Sequence, residues 1–135
     1  MDTLTQQERS ERMALVRNKD TKAEMIVRRL THQLGYRYRL RATDLPGKPD
    51  IVFRSRKKVI FVHGCFWHRH EGCKLARIPK SRLDFWVPKL EGNKARDQRN
   101  QDRLTALGWD YLVIWECELM EQQPLAIRIR KYLDK

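Results

Sequence analysis

The sequence predicts an α/β fold: a mixed β-sheet of about four strands flanked by helices. Four short runs have strand character, at 36–40, 51–53, 59–62 and 109–115. Helical periodicity precedes the first run, returns between the third and fourth, and closes the chain. A helix between the third and fourth runs permits a parallel crossover, while the short turn before the third permits only a hairpin. With 135 residues, no Pro/Gly/Ser-rich linker and no internal repeat, the chain reads as one domain over 1–135.

Residues 1–19 are polar and basic, with Met13, Ala14, Leu15 and Val16 as their apolar cluster, and read as a short helix or a mobile arm that orders on a partner. Thr21 and Glu24 then have the capping-box spacing, Ala23, Ile26, Val27, Leu30 and Leu34 follow at helical intervals, and Gly35 is placed to stop the helix. This predicts a helix over 22–34. Residues 36–40 alternate with period two, as a half-buried strand does. The turn 45–50 delivers Asp50 to the strand 51–53, and a basic turn at 54–57 leads back into 59–62, apolar throughout and therefore central. A loop runs from His63 to about Arg77, with a short turn or helical piece at 81–86. A polar helix is expected over 93–107, with Leu104 and Leu107 on one face and Gly108 at its stop. Residues 109–115 read as a strand too apolar to lie at an edge, with Trp109 and Trp115 in the core. Pro124 can open a last helix that packs Leu125, Ile129, Tyr132 and Leu133 inward.

The chain carries 29 Lys and Arg against 17 Asp and Glu, a net charge of +12 with pI near 10.1. So basic a balance points to a polyanionic partner. Ribosomal or membrane-surface binding fits the composition equally, although no basic amphipathic helix with a bulky apolar face stands out. No apolar run approaches the roughly 18 residues of a membrane span. The polar N-terminus lacks the core of a signal peptide, which makes the expected location cytoplasmic.

Residues 62–73 hold three of the four histidines and two of the three cysteines. Three cysteines cannot all pair within one chain, and these sit among histidines, which favours metal ligation over a disulfide. Cys65, His70 and Cys73 give the spacing Cys-x4-His-x2-Cys. Structural zinc takes four thiolate or imidazole ligands in a tetrahedron. Cys117, just past the last strand run, is the economical fourth, with His63 or His68 as alternatives. A fully liganded zinc has no open position, so its role is structural.

Pro49-Asp50, a strand, a basic turn and a second strand resemble the hairpin of many metal-dependent nucleases. There a Glu-x-Lys follows on the second strand; here that position reads Phe61-Val62-His63. Aspartate after proline is also a common turn former. Two histidines, His63 and His68, are left over after zinc takes His70. Either can serve as a general base near neutrality or simply bond a backbone carbonyl. A Mg2+ held by Asp50 can polarise a phosphate. Phe66, Trp67 and Trp86 lie beside Lys and Arg, where exposed aromatics can wedge between bases; core packing is the alternative. Lys48, Arg69, Lys74, Arg77, Lys80, Arg82, Lys89 and Lys94 flank these motifs and suit phosphates.

Residues 45–50, then 62–70 with its Gly-Cys-Phe-Trp-His, then Asn93-x-x-Arg96-Asp97 and Trp115-Glu116-Cys117 resemble the very short patch repair DNA mismatch endonucleases. The resemblance runs from about Met13 to Cys117. It implies a restriction-endonuclease-like fold with a structural zinc, acting on double-stranded DNA. The chain is expected to act as a monomer, and the basic arm at 1–19 is the expected further contact to DNA. The implied reaction nicks one strand 5′ to the T of a T·G mismatch, the product of 5-methylcytosine deamination. Carried over by position, Asp50 is the Mg2+ ligand, aided by the Val62 backbone carbonyl, with Glu24 and Asp97 acting through water. His68 is the general base and His63 lies near the scissile phosphate. Cys65, His70, Cys73 and Cys117 hold zinc. Phe66, Trp67 and Trp86 match the family's intercalating wedge. Among the flanking cations, Lys48, Arg69 and Lys94 are the expected phosphate contacts. A nuclease without mismatch preference, and a non-catalytic zinc-stabilised DNA-binding module, are the competing expectations.

Overall fold

The computed structural model describes residues 21–40 and 42–135. The expected arm at 1–19 lies outside them. The elements are α1 (Lys22–Gln33), β1 (Arg39–Leu40), β2 (Ile51–Phe53), β3 (Lys58–His63), α2 (Leu83–Ala106), β4 (Asp110–Trp115) and α3 (Gln122–Asp134). Short 3-10 turns occupy Arg54–Arg56, Lys74–Ala76 and Glu116–Met120. One sheet has the order β1-β2-β3-β4. The first two pairings are antiparallel, and β3 and β4 pair parallel, from Lys58↔Asp110 to His63↔Trp115. The crossover between them carries α2, as the spacing of the strand runs predicts.

Both faces of the sheet are covered, and the strand sequences show why. Ile51, Phe53, Ile60 and Ile114 pack with Val27 and Leu30 of α1 and Leu125, Ile129 and Leu133 of α3. The alternate positions Val52, Val59 and Phe61 pack on the other face with Leu104 of α2. A strand buried on both sides reads as continuously apolar, as β2 and β3 do. At the head of α1, Thr21 Oγ1 accepts the Glu24 amide at 3.2 Å, and Gly35 ends the helix at φ +90°.

Three expectations need correction. The first strand keeps only two ladder residues, both exposed, because Tyr36 and Tyr38 pack against the α1/α3 core instead of extending the ladder. The pieces expected at 81–86 and 93–107 are one 24-residue helix, with Pro88 inside it. Proline there removes a single amide bond near the N-terminus, and Trp86 and Leu90, one turn apart, bury on either side of it. Finally, β4 pairs only with β3 among the described residues and is therefore an edge. Its apolar character reflects two covered faces, not two strand neighbours. Arg128 Nη2 donates to the Val113 carbonyl at 3.3 Å, a side-chain bond to the edge strand.

The last helix is tied to the sheet by its C-terminal carbonyls. Lys58, buried at the head of β3, donates from Nζ to Tyr132 O at 2.7 Å and Lys135 O at 3.0 Å. Arg56 Nη1 reaches Leu133 O at 2.8 Å. Two cations thus sit at the negative end of α3. Among the described residues no helix is long and apolar enough to cross a membrane.

Candidate active site and metal centre

Parallel pairing makes β3 and β4 finish side by side, at His63 and Trp115. What each strand delivers next therefore meets. Beyond β3 the loop closes on itself: the His68 amide donates to Gly64 O at 3.1 Å and the His70 amide to Cys65 O at 2.9 Å. Arg69 and Gly72 take positive φ to make these turns.

Cys65, His70, Cys73 and Cys117 offer ligand atoms that all lie within 4.8 Å of one another. Zinc with bonds of about 2.0–2.3 Å places its ligand atoms roughly 3.3–3.8 Å apart, so the set fits with little adjustment. The His70 ring stacks on Trp115 at 4.1 Å, and its Nδ1 lies 3.5 Å from Cys117 Sγ. Burial pushes the Cys65 thiol up to about 12 and raises Cys117, while amide hydrogen bonding, chiefly from Leu75, lowers Cys73. Thiols that resist ionising alone yet face one another are what a bound cation relieves. The fourth member is Cys117, and neither His63 nor His68 joins this group.

The second group lies in an open cleft of about 730 Å³ whose lining includes Glu24, Lys48, Asp50, His63, His68 and Asp97. Asp50, at the turn into β2, accepts the Val62 amide on Oδ2 at 2.7 Å. Burial pushes its carboxyl up to about 6, with the Glu24 carboxylate adding and the Val62 amide opposing. A carboxylate held unwillingly charged beside a second one suits a divalent cation. His68 Nδ1 lies 2.6 Å from Asp97 Oδ2, and its ring stacks on His63 at 3.8 Å with the planes 6° apart. Burial, with His68 beside it, pushes His63 down to about 3, so it is neutral near pH 7. Its buried Nδ1 makes no hydrogen bond among the described residues.

Most of the expected site residues therefore converge, with differences in detail. Asp97, expected to act through water, bonds His68 directly. Val62 contacts Asp50 through its amide, which orients the carboxylate. Glu24 lines the cleft and also pairs with Arg28 at 3.0 Å. The aromatics do not stand outward. Phe66 is 5.0 Å from Trp67 and 5.3 Å from Trp86, and Trp86 is only 8 % exposed. Large aromatic rings gain by packing edge to face, and Phe66 does so with both tryptophans. Of the phosphate candidates, Lys48 is exposed at the cleft, Arg69 pairs with Glu91 at 2.9 Å, and Lys94 pairs with Glu71.

Sequence reasoning gave no role to three contributors, two of which, Asn93 and Glu116, stood in its motifs. Asn93 donates to the Trp67 carbonyl at 3.1 Å, Glu116 accepts the Cys65 amide at 3.3 Å, and Glu91 holds Arg69. Asn93 lies four residues before Asp97 on α2, a spacing that puts both on one helical face. That was the available signal. Together they grip the consecutive residues Trp67 and His68.

An imidazole oriented by a carboxylate, facing a separate buried carboxylate across an open cleft, is the equipment of a hydrolase. Comparison with known proteins makes this specific. The sequence model of the family described as DNA mismatch endonuclease Vsr matches residues 1–74. Type II nicking enzyme V.XorIIP of Xanthomonas oryzae is 53% identical, over 98% of this chain and 97% of the relative. Type II nicking enzyme V.NmeAIP of Neisseria meningitidis is 43% identical over 96% and 92%. DNA mismatch endonuclease Vsr of Escherichia coli is 40% identical over 87% of this chain and 74% of its own length. The chain belongs to the Vsr endonuclease family and is a DNA endonuclease.

Proposed function

We propose that this endonuclease nicks one strand of duplex DNA 5′ to the T of a T·G mismatch, in a Mg2+-dependent hydrolysis on a restriction-endonuclease-like fold. The observation that carries the reaction is the Asp97–His68 pair at 2.6 Å in the cleft that also holds Asp50. Asp50, with Glu24 nearby, would hold the divalent cation, which would supply positive charge at the scissile phosphate. His68 takes the proton of the attacking water, and Asp97 keeps its ring in place and stabilises the imidazolium that results. His63, neutral and stacked on His68, fixes the base's plane near the scissile phosphate. Cys65, His70, Cys73 and Cys117 hold a structural zinc. The mismatch preference rests on the relative from Escherichia coli, whose name includes it, and on the aromatic cluster.

Phe66, Trp67 and Trp86 enter the base stack where a wobble pair makes opening cheap. Lys48, Arg69 and Lys94 hold the backbone. Residues 1–135 act as one nuclease domain, as a monomer in the cytoplasm. A nicking assay on T·G and T·A duplexes of otherwise equal sequence, with and without Mg2+, tests this. Nicking of both duplexes at equal rates rejects the mismatch preference. Unchanged nicking by Asp50→Ala removes Asp50 from the site.

A further inference from the structure

The loop that carries the aromatics is joined to α2 by two ion pairs of matching design. Arg69 of the loop meets Glu91 of the helix, and Lys94 of the helix meets Glu71 of the loop. The cations are two of the three, with Lys48, that the proposed DNA contact uses; the anions have no part in it. Glu71, Lys94 and Glu91 are exposed, at 81 %, 42 % and 50 %, while Arg69 is half-buried, with the Nη1 that meets Glu91 shielded from solvent. An exposed pair such as Lys94–Glu71 is weak and exchanges readily. In a protein of net charge +12, two carboxylates placed against these cations do not serve overall attraction to DNA. They lower it locally, at the segment that enters the duplex.

We infer that Glu71 and Glu91 are resident competitors for the backbone phosphates at Lys94 and Arg69, so that the loop engages DNA by exchanging one anion for another. This rests on the reading of Arg69 and Lys94 as phosphate contacts. Each carboxylate reduces the affinity for DNA of any sequence, and its displacement removes one tie between residues 69–71 and α2 at the moment the phosphate is gripped, while Asn93 and Asp97 keep their hold on Trp67 and His68. The two events are coupled because the same cation takes part in both. Encounters that fail to seat a phosphate leave the loop latched.

The test is a double-mutant cycle in DNA binding, measured by fluorescence anisotropy of a labelled duplex with the zinc-loaded protein in Mg2+-free buffer, so that no strand is cut. Glu71→Gln and Glu91→Gln should each tighten binding by about two- to fivefold, the range set by an exposed ion pair. Lys94→Met and Arg69→Met should each weaken it. The decisive arm is Glu71→Gln made in the Lys94→Met background, where the tightening should vanish, and likewise Glu91→Gln with Arg69→Met. Equal tightening in both backgrounds means general charge repulsion and overturns the exchange. No tightening in either overturns it as well. If Lys94→Met and Arg69→Met leave binding unchanged, the phosphate-contact reading fails and the exchange fails with it. Equal melting temperatures across the set show that folding is not the variable.

Discussion

At Asp50, burial opposes ionisation and a single amide from Val62 favours it, and burial wins. A carboxyl near 3.9 when unfolded and about 6 when folded makes the folded state hold its proton longer. The stabilisation is present below pH 4 and is lost as pH rises through about 6, so the metal-free protein carries a penalty on the order of 3 kcal/mol at pH 8. Asp50→Asn removes that penalty and keeps an acceptor for the Val62 amide. It should abolish nicking yet raise the melting temperature in Mg2+-free buffer at pH 8, with the gain shrinking toward pH 5. A lower melting temperature at pH 8 contradicts this account. Asp97→Asn should cut kcat by about 100-fold or more while leaving DNA affinity near wild type, because the bond to His68 acts on the base and not on binding. Single-turnover nicking against pH checks it, and an unaltered profile would place His68 outside the chemistry.

The elements differ in how plainly the chain announced them. β2 and β3 were legible because a strand covered on both faces must be apolar at every position. Edge placement of β4 was not, since Tyr111, Leu112, Val113 and Ile114 report on covered faces and are silent about ladder neighbours. α2 was hidden by Pro88, whose local cost is outweighed by burying Trp86 and Leu90, a tertiary gain that periodicity cannot see. In the same way the candidate ligands Cys65, His70 and Cys73 could be read from rare residue types at tight spacing, whereas Cys117, far along the chain, was only the economical fourth and needed the fold to bring it to them. The Asp97–His68 bond joins residues far apart in sequence and needed the fold. Lys58 shows the same limit: nothing local marks this lysine as buried against the end of α3. Lys58→Met should destabilise the protein by about 2 kcal/mol, because helix carbonyls lose a charged donor. Urea denaturation measures it, and a change under 0.5 kcal/mol, the usual range of surface substitutions, would deny Lys58 that role.

For the whole molecule, the metal group joins a loop before the crossover to a turn after it, Cys65, His70 and Cys73 on one side and Cys117 on the other. Cys117→Ser should therefore lower bound zinc and also loosen the segment 64–73. Elemental analysis and amide hydrogen exchange together check this; full zinc occupancy in the variant would remove Cys117 from the ligand set. The cleft proposed as catalytic draws on the same loop, so nicking should fall as well.

The parallel pairing of β3 with β4 has one more consequence. Among the described residues the ties between the two halves of the molecule, from the strand ladder to the cysteine set and the grip of α2 on residues 67 and 68, all lie away from the connection at 77–82. That connection has no helix or strand, and Arg77, Lys80, Ser81 and Arg82 are exposed. A backbone break there would sever nothing that holds the site, so the enzyme should be obtainable as two complementing fragments that reassemble when mixed.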